Sequence, residues 1–326
     1  MATHDLREIA EALTSSQSLL IATHVNPDGD AIGSILALRC LLESLGKQRI
    51  TCACADPVPR IYAWLPGADT IQDTLSDEFP YDTVVILDAS RRERVGDLAN
   101  HMDGQATVVV IDHHLEKAPE GDLNFVDPTY SSTGEIVLEL FDEMQKPLER
   151  EAAECVYVAL VTDTGGFRFN NTTARTHRAA ARLYETGIDA SAINARLFET
   201  YSLARLRLLQ CLLNTVEFHE RQRVALSHIS LADMASTNAT NEDIEGMVNV
   251  TRNVEGVEVA IFLREMDPTT TKVSFRSRAA VNSAELAQHF GGGGHAAAAG
   301  ATLALPLERA GQEVLSHVCE VLGKTQ

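Results

Sequence analysis

The sequence predicts an α/β protein: an N-terminal doubly wound, mainly parallel sheet joined by a helical connector to a smaller α/β domain. Three observations predict it. Up to residue 130, short apolar runs alternate with helical patterns, as βαβ units require. Residues 174–216 then read as helix throughout, rich in Ala, Leu and Arg. From about residue 218 the pattern changes again, to runs that alternate like strands of a half-buried sheet. These changes divide the chain into 1–185, a connector at 186–217, and 218–326.

The elements follow in order. Residues 1–17 place Leu6, Ile9, Ala10 and Leu13 on one helical face. Ser18 to Ala22 is an apolar run that reads as a buried parallel strand. Ala31 to Leu45 reads as a helix closed by Gly46. Strands are expected at 49–55, 81–88, 106–112 and 123–126, with Pro57, Pro59 and Pro66-Gly67 punctuating the loop after the first of these. Ser131-Ser132-Thr133-Gly134 can start a helix running to Met144, and a second helix spans about 150–160. In the last part, strands are expected at 223–229, 257–263 and 271–276, with a turn at Met266-Asp267-Pro268. Helices are expected at 241–251, 283–290 and 306–322.

Composition narrows the partners. The net charge of −19 argues against wrapping a long duplex, which needs Lys and Arg to neutralise phosphates. A short anionic substrate is still admissible, because bound cations reverse the local field. No run reaches the ~18 apolar residues of a membrane span, and the N-terminus lacks the pattern of a signal peptide. The six cysteines show no framework spacing. They read as reduced thiols of a cytoplasmic protein with no membrane attachment.

The chemistry-bearing residues sit at strand ends. His24, Asp28 and Asp30 follow the first strand, on a loop turned by Pro27 and Gly29. Asp88 ends the third strand, and Asp112 ends the fourth, followed at once by His113 and His114. In a parallel sheet these carboxyl ends share one edge. Asp163 closes the apolar helix Cys155 to Val161 and can drop into the same crevice. Taken singly, each acid is explicable as a helix cap or turn residue. Together they form an imidazole and carboxylate set suited to divalent cations, enough for two ions sharing a carboxylate. Late in the chain, Gly291 to Gly294 reads either as a flexible turn or as a run that lets backbone N–H groups approach an anion, with His295 beside it. Arg276 and Arg278 flank Ser277 and share a side by alternation.

With these motifs in family order, the chain resembles the DHH phosphoesterases, in the branch that carries the accessory DHHA1 domain. The resemblance rests on His24-x-x-Pro27-Asp28-x-Asp30-x-x-Gly33-Ser34, on Asp88, on the triplet Asp112-His113-His114, and on Asp163 within Thr162-Asp163-Thr164-Gly165. Gly291-Gly292-Gly293-Gly294-His295 followed by Ala299-Gly300 is similar to the glycine-rich DHHA1 motif. The compact two-domain form is most similar to the NrnA-type enzymes. The resemblance implies hydrolysis of short oligoribonucleotides (nanoRNA, including linear pApA) to mononucleotides, and removal of the 3′-phosphate of 3′-phosphoadenosine 5′-phosphate (pAp).

It also implies two divalent ions, commonly Mn²⁺, in a set that equally admits Mg²⁺ or Co²⁺. One ion would be held by His24, Asp28 and Asp88, the other by Asp30, Asp88, His113 and Asp163. His114 would face the scissile phosphate, and Asp112 would orient its neighbours. Arg276, Ser277, Gly292, Gly293, Gly294 and His295 would line the substrate face, taking short single-stranded RNA or nucleotides but no long duplex. Family members often pair, which implies a homodimer. Two other readings stand beside this one: a manganese-dependent inorganic pyrophosphatase-like phosphohydrolase, and a non-catalytic nucleotide-binding regulatory protein. The first lacks a reason for the glycine-rich motif. The second is disfavoured because no expected metal ligand is missing.

Overall fold

The computed structural model describes residues 4–75, 81–102, 104, 106–115, 118–278 and 281–324. The chain divides into two compact units, Met1–Thr200 and Tyr201–Gln326. The residues expected as a connector are shared between them: those up to Thr200 belong to the first unit and those from Tyr201 to the second.

The first unit is built on a five-stranded sheet. Helix α1 (Leu6–Ser15) opens it with a reciprocal cap, Asp5 accepting from the Glu8 backbone while the Glu8 side chain accepts from the Asp5 backbone. Then come β1 (Leu19–Thr23), α2 (Gly29–Ser44), β2 (Ile50–Ala53), β3 (Thr83–Leu87), β4 (Thr107–Asp112) and β5 (Leu123–Val126). Helices α3 (Thr133–Glu143), α4 (Arg150–Asp163), α5 (Ala174–Glu185) and α6 (Ala190–Asn194) follow. The strand order is β2-β1-β3-β4-β5, with every pair parallel. The chain leaves β1 for one edge and returns to the other side of it as β3. Their carboxyl ends therefore flank a topological switch point, where open α/β sheets bind ligands.

Alternation along the strands feeds two cores. Leu19, Ile21, Val85, Leu87, Val109 and Ile111 pack under the helices, with Ile9, Ile32, Ile136 and Val156 among their neighbours. Leu20, Ala22, Val84, Ile86, Val108 and Val110 face the other way, against Val95 and Leu98 of a short-turned segment at Arg92–Met102. The helical layer is held unusually close by missing side chains. A Cβ on Gly33 would lie 2.4 Å from the Cys155 carbonyl oxygen, and one on Gly134 would lie 2.4 Å from the Ala159 Cβ. Gly29 meets Thr162 in the same way. So α2 and α3 both dock on α4 through glycine, and the start of α2 is carried to the end of α4.

The second unit contains α7 (Leu203–Asn214), β6 (Glu217–His219), β7 (Val224–Ile229), α8 (Leu231–Thr237), α9 (Asn241–Ile244) and α10 (Val248–Arg252). It continues with β8 (Val259–Asp267), β9 (Thr270–Ser277), α11 (Ser283–His289), β10 (Gly293–His295), β11 (Ala298–Leu303) and α12 (Leu307–Lys324). The sheet order is β10-β11-β9-β8-β7-β6; β7 and β8 run parallel, and the other pairs are antiparallel. One face, with Val273 and Phe275, packs on α11 and α12. The other, with Ala260 and Phe262, packs on α7, α9 and α10. The predicted α/β class therefore holds for both units. All six cysteines are free thiols. No described helix is long and apolar enough to cross a membrane.

Candidate metal centre

The strand ends deliver the predicted acids to one place. Thr23 pairs with Leu87, and Leu87 pairs with Ile111, so His24, Asp88 and Asp112 emerge side by side at one sheet edge. The His24 ring is buried, with Nε2 3.3 Å from Asp88 Oδ2 and 3.9 Å from Asp28 Oδ1. Its Nδ1 lies 2.9 Å from the Val25 carbonyl oxygen. That contact places the ring proton on Nδ1 and leaves the Nε2 lone pair facing the carboxylates. Asp28 caps α2, accepting from the Asp30 and Ala31 backbones at 3.1 and 3.0 Å through Oδ1.

Asp30 is fully buried. It accepts from Ser34 Oγ and, at the start of α3, from the Thr133 and Gly134 backbones at 2.6 and 2.9 Å. A helix N-terminus thus faces this acid, which favours its charge. Burial nonetheless pushes the carboxyl up from the ordinary aspartate range, against the pull of His113. Asp88 is pushed well above that range, first by burial and then by the charges of Asp30, Asp28, Asp112 and Asp163. It sits in the left-handed region with φ 59°, and Thr133 Oγ1 donates to it at 3.0 Å.

His113 stands in the middle. Its Nε2 is 3.6 Å from Asp30 Oδ2, 3.6 Å from Asp88 Oδ1 and 3.5 Å from Asp163 Oδ2. These separations are too long for good hydrogen bonds. The atom is buried and has no hydrogen-bond partner. Asp163, the last residue of α4, is steadied by Asn171, whose Nδ2 donates to Asp163 Oδ2 at 3.2 Å. Beyond it, Gly165, Gly166 and Phe167 are all left-handed (φ 57°, 69° and 64°), which turns the chain sharply away. Burial, with the charges of Asp30 and Asp28, pushes the Asp163 carboxyl up to about 8.

Asp112 behaves differently. Its Oδ1 accepts from the His114 backbone at 3.0 Å and from His114 Nδ1 at 2.8 Å, and its Oδ2 accepts from Ser90 Oγ. Burial acts to raise this carboxyl, but the bonds and charge of His114 outweigh it and hold it down to about 2. The same partner pushes the His114 imidazole up from its usual value, against the effect of burial.

Three groups of donor atoms result, each within 4.8 Å of one another: His24/Asp28/Asp88, Asp30/His113/Asp163 and Asp88/His113/His114. Asp88 and His113 each belong to two. Carboxylates crowded this way repel one another, and an orphaned imidazole nitrogen aims at three of them. Divalent cations answer both, and the nitrogen and oxygen donors suit them. The site fits bound divalent metal.

In the second unit the structure separates residues that the sequence groups together. Arg276 is half-buried on the α10 face of β9, while Ser277 points to the other face and is buried. The Ser277 hydroxyl is engaged with the carbonyls of Val281 and Ala296 at 2.6 and 3.0 Å and with Ser283 Oγ at 2.8 Å. Expected on the substrate face, it is instead committed to the inside of the domain. A Cβ on Gly292 would lie 2.1 Å from the Gly300 carbonyl oxygen, and one on Gly294 would lie 2.6 Å from the Ala298 carbonyl oxygen. Strand packing alone therefore demands those two glycines, whereas Gly293 has open space. The His295 backbone pairs with Ala298, and its side chain lies outside what the structure describes.

Sequence reasoning missed the roles of Thr133, Gly134, Ser90 and Asn171, which hold the acids in place, and named Ser34 only as a motif position. The signal for Thr133 and Gly134 was the polar run Ser131-Ser132-Thr133-Gly134, which reads as nothing more than a helix start.

Residues 18–160 match the family model described as DHH family, N-terminal domain, and residues 223–324 match the DHHA1 domain. The chain is 38% identical over 319 residues to the bifunctional oligoribonuclease and PAP phosphatase NrnA of Thermus thermophilus, covering 97% of this chain and 94% of that one. The chain belongs to the DHH family. A Bacillus subtilis relative, also described as bifunctional oligoribonuclease and PAP phosphatase NrnA, is 28% identical over 299 residues (91% and 92% coverage). Among solved structures, an exopolyphosphatase-related protein from Bacteroides fragilis superposes with a TM-score of 0.89 at 29% identity, covering 97% of this chain and 95% of that one. The DHH triplet itself, Asp112-His113-His114, divides its work: the middle residue faces the acids and the outer two bind each other.

Proposed function

We propose that this chain is a divalent-metal-dependent hydrolase that cleaves short oligoribonucleotides to mononucleotides and removes the 3′-phosphate of pAp. The observation that carries the reading is the pair of donor groups joined through Asp88 and His113. The substrates are those that the two NrnA relatives are named for, and these relatives align with 97% and 91% of this chain. One ion is assigned to His24, Asp28 and Asp88, the other to Asp30, Asp88, His113 and Asp163. Mixed imidazole and carboxylate donors favour Mn²⁺ and also admit Mg²⁺ or Co²⁺. When bound, such a pair supplies an activated water and neutralises charge on the phosphoryl oxygens.

The protein's own groups do the rest. The Val25 carbonyl fixes the His24 tautomer, so its Nε2 lone pair is ready without rearrangement. Thr133 and Gly134 lock both oxygens of Asp30, and Thr133 Oγ1 locks Asp88. This prepays the ordering of the ligands. Asp112 holds the Nδ1 proton of His114, which leaves Nε2 of that ring to hydrogen-bond a phosphoryl oxygen and hand a proton to the leaving oxygen. Arg276 is assigned to a substrate phosphate.

The test is a time course with Mn²⁺ on end-labelled di- and pentanucleotide RNA, a long RNA, pAp and inorganic pyrophosphate. Mononucleotides from the short RNAs and phosphate from pAp are expected. Cleavage of pyrophosphate alone would replace this reading with a pyrophosphatase, and silence across the panel with metal bound would replace it with a regulatory nucleotide binder.

A further inference from the structure

We infer that Arg252 is a second substrate-binding arginine, which together with Arg276 forms a two-cation cradle for a terminal phosphomonoester of the nucleotide. The inference rests on the nucleotide reading above and adds to it a residue and a preferred phosphate class. Arg252 ends α10, whose Val248 packs on the sheet face carrying Ala260 and Phe262. Ala260 is the direct cross-strand partner of Arg276, and directly opposed residues point to the same face. On its other side Arg276 is paired with Ala298. So one long cation stands in a row of small side chains, under the helix that ends in another.

The two guanidinium groups are near enough to feel each other. Burial, and after it the charge of Arg252, holds Arg276 below its usual range. Arg278, just past β9, donates through Nη2 to the Arg252 carbonyl at 3.3 Å, which keeps a third cation close by. Arg252 Nε is buried with no hydrogen-bond partner. The other bonds of the pair go to the Asn253 side chain and the Phe275 carbonyl. Among the described residues no carboxylate pairs with either arginine, in a chain with 46 acids and 27 Lys and Arg. Two half-buried like charges that disfavour each other, with no carboxylate paired to either among the described residues, destabilise the free protein. An anion placed between them removes the repulsion and takes up the orphaned N–H.

The charge match chooses the anion. A phosphodiester carries one negative charge, whereas a terminal phosphomonoester carries about −1.5 to −2 near neutral pH and offers three oxygens. Two forked donors fit the second better. The pair therefore favours pApA over ApA, and pAp over an unphosphorylated nucleoside.

The experiment compares wild type, Arg252→Ala and Arg252→Lys, as full chains, in two assays. In turnover with Mn²⁺, Arg252→Ala is expected to raise KM for pApA about tenfold or more while kcat stays within about twofold, with Arg252→Lys between the two. KM for ApA stays unchanged. In binding to chelator-treated protein, 5′-AMP is preferred over adenosine by wild type, and that preference shrinks about tenfold in Arg252→Ala. Equal losses on pApA and ApA, or an AMP preference untouched by Arg252→Ala, would overturn the assignment. If wild type cleaves no member of the panel yet its AMP preference depends on Arg252, the cradle stands and the proposed hydrolase falls. Should the Ala variant lose its thermal transition, Arg252→Gln carries the same comparison, since it keeps the stem and loses the charge.

Discussion

Asp163→Asn should make the metal-free protein more resistant to alkaline pH. The Asp163 carboxyl ionises near 8 in the folded protein, against about 3.9 in an unfolded chain. Between those values the folded state holds a proton that the unfolded state has released. Linkage then makes the fold weaker as pH rises through that window. A separation of about four pH decades at ~1.4 kcal/mol each sets a ceiling of about 6 kcal/mol. The side chain keeps 26% exposure, and solvent screening reduces the effect to about 2–3 kcal/mol. For a unit the size of Met1–Thr200 this corresponds to roughly 4–12 °C in Tm. His114, raised in its folded pKa, stabilises at low pH and loses that contribution as pH rises, so it adds to the same slope. Asp112, held down to about 2, contributes constantly above about pH 5 and adds no slope there. The assay is thermal denaturation with a chelator at about pH 5.5 and about pH 8.5. Wild type should lose most of that increment at the higher pH. The Asn variant, whose amide oxygen can still accept from Asn171, should lose clearly less. Adding Mn²⁺ at high pH should restore wild type and do little for the variant. Parallel pH curves for the two proteins would refute the reasoning.

The remaining predictions concern catalysis, packing and grip. Asp88→Asn should abolish metal-dependent turnover while the metal-free Tm stays at or above wild type, because the fold no longer has to hold a buried carboxyl among other acids and Asn tolerates φ 59°; residual turnover within tenfold of wild type would contradict the shared-ligand assignment. Gly33→Ala should lower Tm by the equivalent of about 1–3 kcal/mol, since its Cβ would meet a backbone oxygen that cannot step aside, and a calorimetric scan reads the loss directly. Arg276→Ala should raise KM more than it lowers kcat; a loss confined to kcat would move Arg276 into the chemistry.

Much of the first unit is written in its sequence, and the reason is burial. Strands such as Val84 to Leu87 and Val108 to Ile111 are apolar on both faces, so they stand out as runs, and an acid at the end of each run has only the sheet edge to occupy. Convergence of His24, Asp88 and Asp112 follows from parallel pairing alone. What holds them does not. Gly33 meets Cys155 and Thr133 meets Asp30 across gaps of about a hundred residues, which no local pattern encodes. In the second unit, β11 is made of Ala and Gly with a single Thr and Leu and carries no strand signal; it forms because β9 offers an unpaired edge. Ser277 was legible and missed: neighbours on a strand point to opposite faces, so it could not share a surface with Arg276. Arg252 was invisible because only the seating of α10 on the sheet brings it near Arg276.

The left-handed backbone at Asp88 also limits what can evolve there. The position must supply a carboxylate and adopt φ 59° at once, a conformation that the shorter Asp side chain enters more readily than Glu. Only Gly, Asn and Asp enter it routinely, and of these only Asp brings a negative charge. A lineage that abandoned hydrolysis but kept the architecture would therefore drift to Asn or Gly at this one position. Asn or Gly at this position in a descendant therefore marks loss of the shared ligand with the local backbone kept.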